Sequence, residues 1–330
     1  MKKWLALLLT LCLLLPGCAA RQDKMYNATY LNLFDTVTTI MGTAESEEAF
    51  RAEAGKIYEQ LSRYHRLFDI YNDYDGINNL KTVNDNAGIA PVAVGPEIIG
   101  LLQQCRAYYE LTGGRVNVAM GSVLKLWHQE RQAGLADPEN AKLPDEAALE
   151  QARQHMDFAQ VIIDEAASTV YLADPEMSLD VGAIAKGWAA QRVAEKAPAG
   201  LLISVGGNVC ATGPKDAQGN AWVVGIQNPD GGDYLRKLQI TSGAVVTSGD
   251  YQRTYEVSGK RYHHIIDPDT GMPSEYWKSV TVICEDSALA DCLSTALLLL
   301  PFADGKALAE QCNAQAVWVD REGQQWSNIP

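Results

Sequence analysis

Several short segments of this chain are rich in apolar and β-branched residues and are bounded by glycine, proline, asparagine or aspartate. Such runs are typical of β-strands, because branched side chains pack well on a pleated surface and the bounding residues favour turns. The first is YLNLFDTVTTIM, residues 30–41, and the run LLISV, residues 201–205, is apolar throughout. Further strands are predicted at residues 160–164, 169–173, 178–180, 222–227, 235–240, 244–248, 253–266, 280–284 and 316–319.

Helices are predicted where capping and stop signals frame longer segments. Ser46 is suited to cap a helix that continues to Arg66, and Pro96 fits the first turn of a helix that stops before Gly113 and Gly114. The other helices are predicted at residues 145–156, 184–197, 287–300 and 306–313, with a loop at 80–91. Because helices and strands do not alternate strictly, the pattern favours an α+β fold over a doubly wound parallel sheet.

The first residues have the organisation of an export signal. Lys2 and Lys3 precede an apolar run, residues 4–15, that is short for a membrane span and ends at LPGC. This ending resembles the lipobox of bacterial lipoproteins, which implies lipidation of Cys18 and an extracytoplasmic protein anchored to a bacterial membrane. An ordinary signal peptide or a membrane anchor with an incidental cysteine is the alternative. The predicted division is a signal peptide at 1–17, a lipidated cysteine and tether at 18–28, and one folded domain at 29–330.

The charge balance limits the choice of ligands. The chain has 27 Lys and Arg against 41 Asp and Glu, a formal net charge of −14. Nucleic acids are held by clustered basic residues, so this balance argues against a nucleic-acid partner. An anionic small molecule then needs local compensation from a metal ion, a lysine or backbone amides. None of the seven cysteines forms a C-x-x-C pair, which leaves zinc and redox motifs without support.

Three segments carry candidate chemistry. The first is YHHIIDPDTGMP, residues 262–273, in which two histidines precede a turn signal. A histidine beside a rigid turn is suited to point into a cleft, although a surface hairpin with packed histidines fits the same residues.

The second segment is LDVGAIAKG, residues 179–187. Asp180 ends a predicted strand, Gly182 and Ala183 permit close backbone approach, and Lys186 falls in the first turn of a predicted helix. The N-terminus of a helix favours anions, so this arrangement resembles a phosphate site in its physical design. A tight strand-to-helix turn with a solvated lysine is the alternative.

The third segment is EDSALADCLST, residues 285–295, where Asp291 and Thr295 are one helical turn apart and share a face. A carboxylate and a hydroxyl offer two hard oxygens to Mg²⁺, which keeps further positions for water and ligand phosphates. The apolar residues around them indicate that the helix is buried, and a buried carboxylate needs a partner or a cation.

Together these segments resemble the ApbE family, the FAD:protein FMN transferases. Further stretches are similar to family signatures: FDTVTTIMGT, RLFDIYNDYDGINNL, VNVAMGSVLKLW, ISVGGN, WVVGIQNP and AVVTSGDYQR. The resemblance covers nearly the whole chain after the signal. It implies an α+β fold of mixed β-sheets with packed helices, in which two intertwined subdomains enclose an FAD cleft.

The resemblance also implies roles for individual residues. It assigns Mg²⁺ to the side chains of Asp291 and Thr295 and to the carbonyl of Ala183. It makes His264 the candidate for the catalytic base or for substrate positioning, and Asp291 a poorer base because it is a metal ligand. The residues implied to bind FAD are Met41, Tyr71, Ala119, Met120, Gly121, Asp180, Lys186 and Ile265.

The implied reaction is a phosphoryl transfer in which a threonine or serine hydroxyl of another protein attacks the FMN phosphorus of FAD and AMP leaves. The implied partner is an extracytoplasmic flavoprotein, for example a subunit of a membrane redox pump. Two alternatives remain open from the residues: hydrolysis of FAD to FMN and AMP at the same site, and a lipoprotein that binds FAD without catalysis.

Overall fold

The computed structural model describes residues 24–329, and these form eight α-helices and fifteen β-strands. The helices are α1 Glu47–Phe68, α2 Leu80–Asp85, α3 Pro96–Leu111, α4 Gly121–Ala136, α5 Glu146–Arg153, α6 Ala185–Ala194, α7 Ser287–Leu298 and α8 Phe302–Gln311. The strands are β1 Lys24–Leu33, β2 Thr36–Ala44, β3 Val92–Ala93, β4 Val161–Asp164, β5 Thr169–Leu172, β6 Leu201–Val205, β7 Asn208–Ala211, β8 Trp222–Ile226, β9 Arg236–Ile240, β10 Gly243–Gly249, β11 Tyr255–Val257, β12 Lys260–Tyr262, β13 Ser279–Cys284, β14 Gln315–Val319 and β15 Gln325–Ser327.

The centre of the molecule is an eight-stranded antiparallel sheet with the order β1-β2-β6-β7-β10-β13-β14-β15. Side chains alternate between its two faces. Ile40 and Ile203 belong to the main core beneath the helices, whereas their neighbours Met41 and Leu202 pack toward the β8–β9 hairpin on the opposite face. The predicted α+β fold is thereby confirmed.

Helices α1, α6 and α7 cover one face of this sheet, and α6 and α7 pack closely against each other. Helix α1 is capped by Ser46, whose side chain accepts a hydrogen bond from the Ala49 amide, as the sequence predicts. The close contact of α6 with α7 depends on Gly187. A Cβ at this glycine would lie 2.3 Å from the Ser287 carbonyl oxygen, so no larger residue fits without moving one helix.

Beside the end of the large sheet lies a smaller layer made of α4, α5 and the β11–β12 hairpin. Its core contains Trp127, Leu149, Tyr255 and Ile266. The Trp127 indole donates a hydrogen bond to the Gly271 carbonyl, 2.8 Å away, and so ties α4 to the turn of the YHHIIDPDTGMP segment. This layer and the end of the sheet form two walls of the cavity described below.

Four predicted elements differ from the structure. Residues 30–41 form parts of two strands of a hairpin, because Phe34 and Asp35 both adopt left-handed backbone conformations that reverse the chain. Part of the predicted loop at 80–91 is helix α2, which is stabilised by a capping box between Asn79 and Thr82. Residues 253–266 form a short hairpin followed by an irregular segment, and Ser178 makes only an isolated bridge to Met120.

The predicted boundaries near the N-terminus are partly outside the described residues. The predicted signal peptide at 1–17 and Cys18, the predicted lipidation site, lie there, whereas the tether predicted at 18–28 overlaps strand β1 from Lys24 onward. None of the helices between residues 24 and 329 combines the length and apolar character that a membrane crossing requires. Within the same range the five cysteines are all free thiols, at positions 105, 210, 284, 292 and 312.

Candidate functional site

A cavity of about 330 Å³ lies where the end of the large sheet meets α4, α6, α7 and the segment after β12. Its wall is formed by residues distant in sequence, which the fold brings together. Of the residues predicted to act in binding or catalysis, nine line it: Tyr71, Met120, Asp180, Ala183, Lys186, His264, Ile265, Asp291 and Thr295.

The segment before α6 is shaped by local hydrogen bonds. The Asp180 carboxylate accepts a hydrogen bond from the Gly182 amide at 2.9 Å, which fixes a tight turn. Lys186, in the first turn of α6, donates to the Gly182 carbonyl at 3.1 Å. Helix α6 has no side-chain cap at its N-terminus. The turn therefore directs a lysine and the positive end of a helix dipole toward the cavity.

Asp291 is the buried acid of the site, with 3% of its surface exposed. Its Oδ2 accepts a hydrogen bond from the Gly187 amide at 2.8 Å and lies 3.9 Å from the Lys186 ammonium nitrogen. Burial raises the pKa of Asp291, and the Lys186 charge and the Gly187 amide oppose that rise. A further cation in the cavity would stabilise the ionised carboxylate.

A group of three hydroxyls lies close to Asp291 in the fold, two of them on α7 and one on β10. Thr295 follows one turn later on α7, and its Oγ1 lies 3.4 Å from the Ser248 Oγ, which is 2.7 Å from the Ser294 Oγ. All the atoms that could bind a metal ion here are hard oxygens, which are the ligands that Mg²⁺ prefers. From Lys24 to Ile329, no three His, Cys, Asp or Glu side chains cluster in a way suited to a metal ion. A metal ion held by Asp291 and Thr295 then depends on backbone carbonyls, water or a ligand for its other positions.

The two adjacent histidines have different environments. His263 is buried, its Nε2 donates to the Ser274 carbonyl at 2.8 Å, and its Nδ1 accepts from the Ile265 amide at 3.2 Å. Both of its ring nitrogens are therefore occupied. His264 lines the cavity, and its Nδ1 donates to the Gln252 carbonyl at 3.2 Å. The bond requires the proton on Nδ1, which leaves the lone pair of Nε2 available to accept a proton.

Burial lowers the pKa of His264 to about 3, assisted by the charges of Arg253, His263, Lys186 and Arg131. His264 is half-buried, and both burial and the neighbouring cations favour the neutral ring. A neutral imidazole at physiological pH is the form that a hydrogen-bond acceptor or a general base requires.

A cationic and aromatic group on the cavity wall was not predicted from the sequence. Tyr71 stacks on His128 with ring centroids 5.2 Å apart, and an Arg131 guanidinium nitrogen lies 3.1 Å from the His128 Nδ1. Arg131 also donates to the backbone carbonyl of Arg253, which has a left-handed backbone. His128 and Arg131 are three residues apart on α4, so recognition of that helix in the sequence would have placed them on one face.

Three residues predicted to bind FAD are not among those that line the cavity. Met41 lies on the sheet face that packs against β8–β9, because strand alternation places it opposite Ile40. Ala119 is fully buried, and a Cβ at Gly121 would lie 2.4 Å from the Ser178 carbonyl oxygen, so both residues support the chain behind the wall. Their predicted contact with the flavin nucleotide remains a prediction.

Comparison with known proteins identifies the family. The sequence model of the ApbE family matches residues 34–318. The chain is 37% identical to an FAD:protein FMN transferase of Treponema pallidum, over 70% of this chain and 67% of that protein. It is 33% identical to one of Klebsiella pneumoniae, over 82% of this chain and 83% of that protein.

Solved structures agree with this relationship. The crystal structure of the ApbE protein from Thermotoga maritima has a TM-score of 0.82 and 30% identity, covering 93% of this chain and 97% of that one. The flavin transferase ApbE from Vibrio cholerae, at 23% identity, has the same fold with a TM-score of 0.74, covering 93% of this chain and 98% of that one. The predicted family is confirmed, and the chain belongs to the ApbE family.

Proposed function

We propose that this chain is an FAD:protein FMN transferase that moves FMN from FAD to a threonine or serine hydroxyl of an acceptor protein and releases AMP. Membership of the ApbE family and the names of its relatives support a transferase. The observation that carries the proposal is one cavity that combines a buried acid, Asp291, with a lysine, Lys186, and a histidine with a free ring nitrogen, His264.

The cavity is suited to an anionic nucleotide although the protein is acidic overall. Four cationic side chains, Arg115, Arg131, Lys186 and Arg253, line it, and the N-terminus of α6 faces it. In a chain of net charge −14, their convergence provides the local compensation that a diphosphate needs. Tyr71 and His128 add a stacked aromatic surface beside these cations, which is suited to a planar ring.

The residues present fit a magnesium ion. Asp291 and Thr295 would hold it by their side chains, with the Ala183 carbonyl as a further ligand and the remaining positions left to water and phosphate oxygens. Bound Mg²⁺ supplies neutralisation of the charge on the diphosphate. The buried Asp291 carboxylate supports this assignment, because its ionised form is stabilised by an added cation.

The chain's own residues carry out the transfer. His264 Nε2 accepts the proton of the acceptor hydroxyl as its oxygen forms a bond to the FMN phosphorus. The bond from that phosphorus to the bridging oxygen breaks, and AMP leaves with that oxygen. Lys186 and the amides at the start of α6 stabilise the charge that accumulates on the phosphate oxygens. The product is FMN joined to the acceptor by a phosphodiester.

The acceptor and the location are part of the same proposal. The N-terminal sequence supports export and lipidation at Cys18, which would place the cavity outside the cytoplasm on a bacterial membrane surface. The acceptor is then an exported flavoprotein, for example a subunit of a membrane redox pump.

One incubation tests the proposal. The protein is mixed with FAD, Mg²⁺ and the exported proteins of its source bacterium, taken from a strain that lacks this chain. Flavin fluorescence that stays on an acceptor band in a denaturing gel, with one AMP released per label, is the expected result. Release of FMN and AMP without a labelled band indicates hydrolysis, and recovery of intact bound FAD indicates storage. Either of the last two results overturns the transferase assignment.

A further inference from the structure

Arg321 lies in the turn between β14 and β15, just beyond the residues matched by the ApbE family model. Its guanidinium is fully engaged. Nη1 pairs with the Asp250 carboxylate, Nη2 donates to the Ser274 carbonyl at 3.0 Å, and Nε donates to the Glu275 carbonyl at 3.0 Å. One side chain therefore joins two segments that are 24 residues apart in sequence, at 250 and 274.

Asp250 is the partner that makes this contact strong. It follows the last residue of β10, has 3% of its surface exposed, and its amide donates to the Lys278 carbonyl at 2.8 Å. Arg261 approaches the other carboxylate oxygen, Oδ1, only to 4.0 Å, and Oδ1 has no hydrogen-bond partner among residues 24–329. Arg321 is thus the main counter-charge of a buried acid.

The two joined segments are those that hold His264. Two residues after Asp250, the Gln252 carbonyl accepts the hydrogen bond from His264 Nδ1. On the other side, Ser274 accepts a bond from His263 Nε2, and its amide donates to the Ile265 carbonyl at 3.1 Å. The residues on both sides of His264, His263 and Ile265, are therefore held by hydrogen bonds to Ser274. The carbonyl that orients the His264 ring belongs to Gln252, whose position is set by the neighbouring Asp250.

We propose that Arg321 is a positioning residue for the reaction: it clamps the end of β10 to the segment at 274–275 and so orients the His264 ring toward the cavity. The proposal rests on the proposed role of His264 in proton transfer. Arg321 does not line the cavity, so its effect on the reaction must pass through the segments that it joins.

This role has a kinetic signature. A displacement of about 1 Å in a reacting group lowers the rate about 100-fold. Arg321→Ala should therefore lower kcat for AMP release from FAD by about 10- to 100-fold, with a smaller change in KM for FAD, because Lys186, Asp291 and Thr295 lie outside both clamped segments. Arg321→Lys should recover only part of the rate, since a lysine cannot bond to all three oxygens.

The test is a double-mutant cycle in the full-length chain, with the readout being AMP release from FAD in the presence of Mg²⁺ and of the same exported acceptor proteins. If Arg321 acts through His264, Arg321→Ala lowers kcat in the native chain but has no further effect in His264→Ala. Full additivity of the two losses, or wild-type kcat in Arg321→Ala, overturns the proposal. Wild-type kcat in His264→Ala is a separate outcome: it removes the proposed role of His264 and the positioning role with it.

Two further variants separate positioning from folding. Asp250→Asn combined with Arg321→Gln removes the buried charge and its partner together, so this protein should fold even where Arg321→Ala does not. This double variant should have the same low kcat as Arg321→Ala. In a chain that already carries His264→Ala, it should lower kcat no further. Lys278→Ala is the matched control, because it removes only the side-chain ion pair with Asp230, 2.8 Å long, and keeps the backbone carbonyl of residue 278 that accepts from the Asp250 amide. It should retain wild-type kcat, and an equal loss there would overturn the assignment.

Discussion

Gly187 gives the sharpest test of how the site is held together. The residue lies in α6 where this helix meets α7, and a Cβ there would be 2.3 Å from the Ser287 carbonyl oxygen and 2.4 Å from the Asp291 Cβ. Cβ atoms in real structures are essentially never closer than 3.0 Å, so Gly187→Ala must push the helices apart by about 0.7 Å, the difference between 3.0 and 2.3 Å.

This movement has two consequences of predictable size. Overpacking of this kind costs about 1–3 kcal/mol, and each kcal/mol lowers Tm by about 2–4 °C in domains somewhat smaller than this one. The same movement stretches the hydrogen bond of 2.8 Å between the Gly187 amide and Asp291. Because the carboxylate then shifts relative to Lys186, we expect activity to fall about 10- to 100-fold.

The assay compares Gly187→Ala with Gly100→Ala. Gly100 is also helical, and the nearest atom to a Cβ there is Cζ2 of Trp188, at the ordinary distance of 3.8 Å. Gly100→Ala should leave activity unchanged and raise stability by about 0.4–1 kcal/mol. Thermal unfolding and the rate of AMP release are measured for both. Wild-type Tm and rate in Gly187→Ala would refute the reasoning from the helix contact.

Three further predictions concern the charge, the proton and the anchor of the protein. Asp291→Asn should lower AMP release at least about 100-fold. Activity close to that of the native protein would contradict the metal assignment. The same substitution should raise the urea midpoint of the metal-free protein at pH 7. Burial raises the pKa of Asp291, so its ionised form lowers the stability of the folded state. The native protein should lose stability as pH falls from 6.5 toward about 3, since the unfolded chain binds the proton that His264 excludes. His264→Gln should flatten this part of a stability-against-pH curve, and an unchanged curve would show that other groups cause the loss. Cys18→Ser should abolish incorporation of labelled palmitate and move the protein from the detergent phase to the aqueous phase, and continued partition into detergent argues against lipidation at this residue.

Much of the site could be predicted from the sequence because its residues are locally organised. Asp291 and Thr295 are one helical turn apart, and Asp180 and Lys186 flank one tight turn, so their proximity follows from local geometry. The family resemblance then joined these segments into one site. The cavity of the structure does bring them together with His264.

The remaining features depend on contacts that local patterns do not encode. Arg131 and Arg253 reach the cavity only because α4 packs against β11, and helix α4 itself lacks a side-chain cap that would mark its start. The position of Met41 has the same origin: its strand was predicted from the sequence, but the packing of one face against the β8–β9 hairpin was not. Likewise, Phe34 and Asp35 turn the chain without the glycine or asparagine that usually signals such a turn.

The free thiols of the described domain have a practical consequence for its production. Burial raises the pKa of all five of these cysteines, so they stay protonated and react slowly with oxidants. A domain of this kind gains no stability from disulfide cross-links and needs no isomerase to mature, even though its leader predicts an oxidising destination. It should therefore be recoverable in active form from the reducing cytoplasm of an expression host. Dithiothreitol should leave its melting temperature unchanged, and a decrease on reduction would reveal a cross-link that stabilises the native protein.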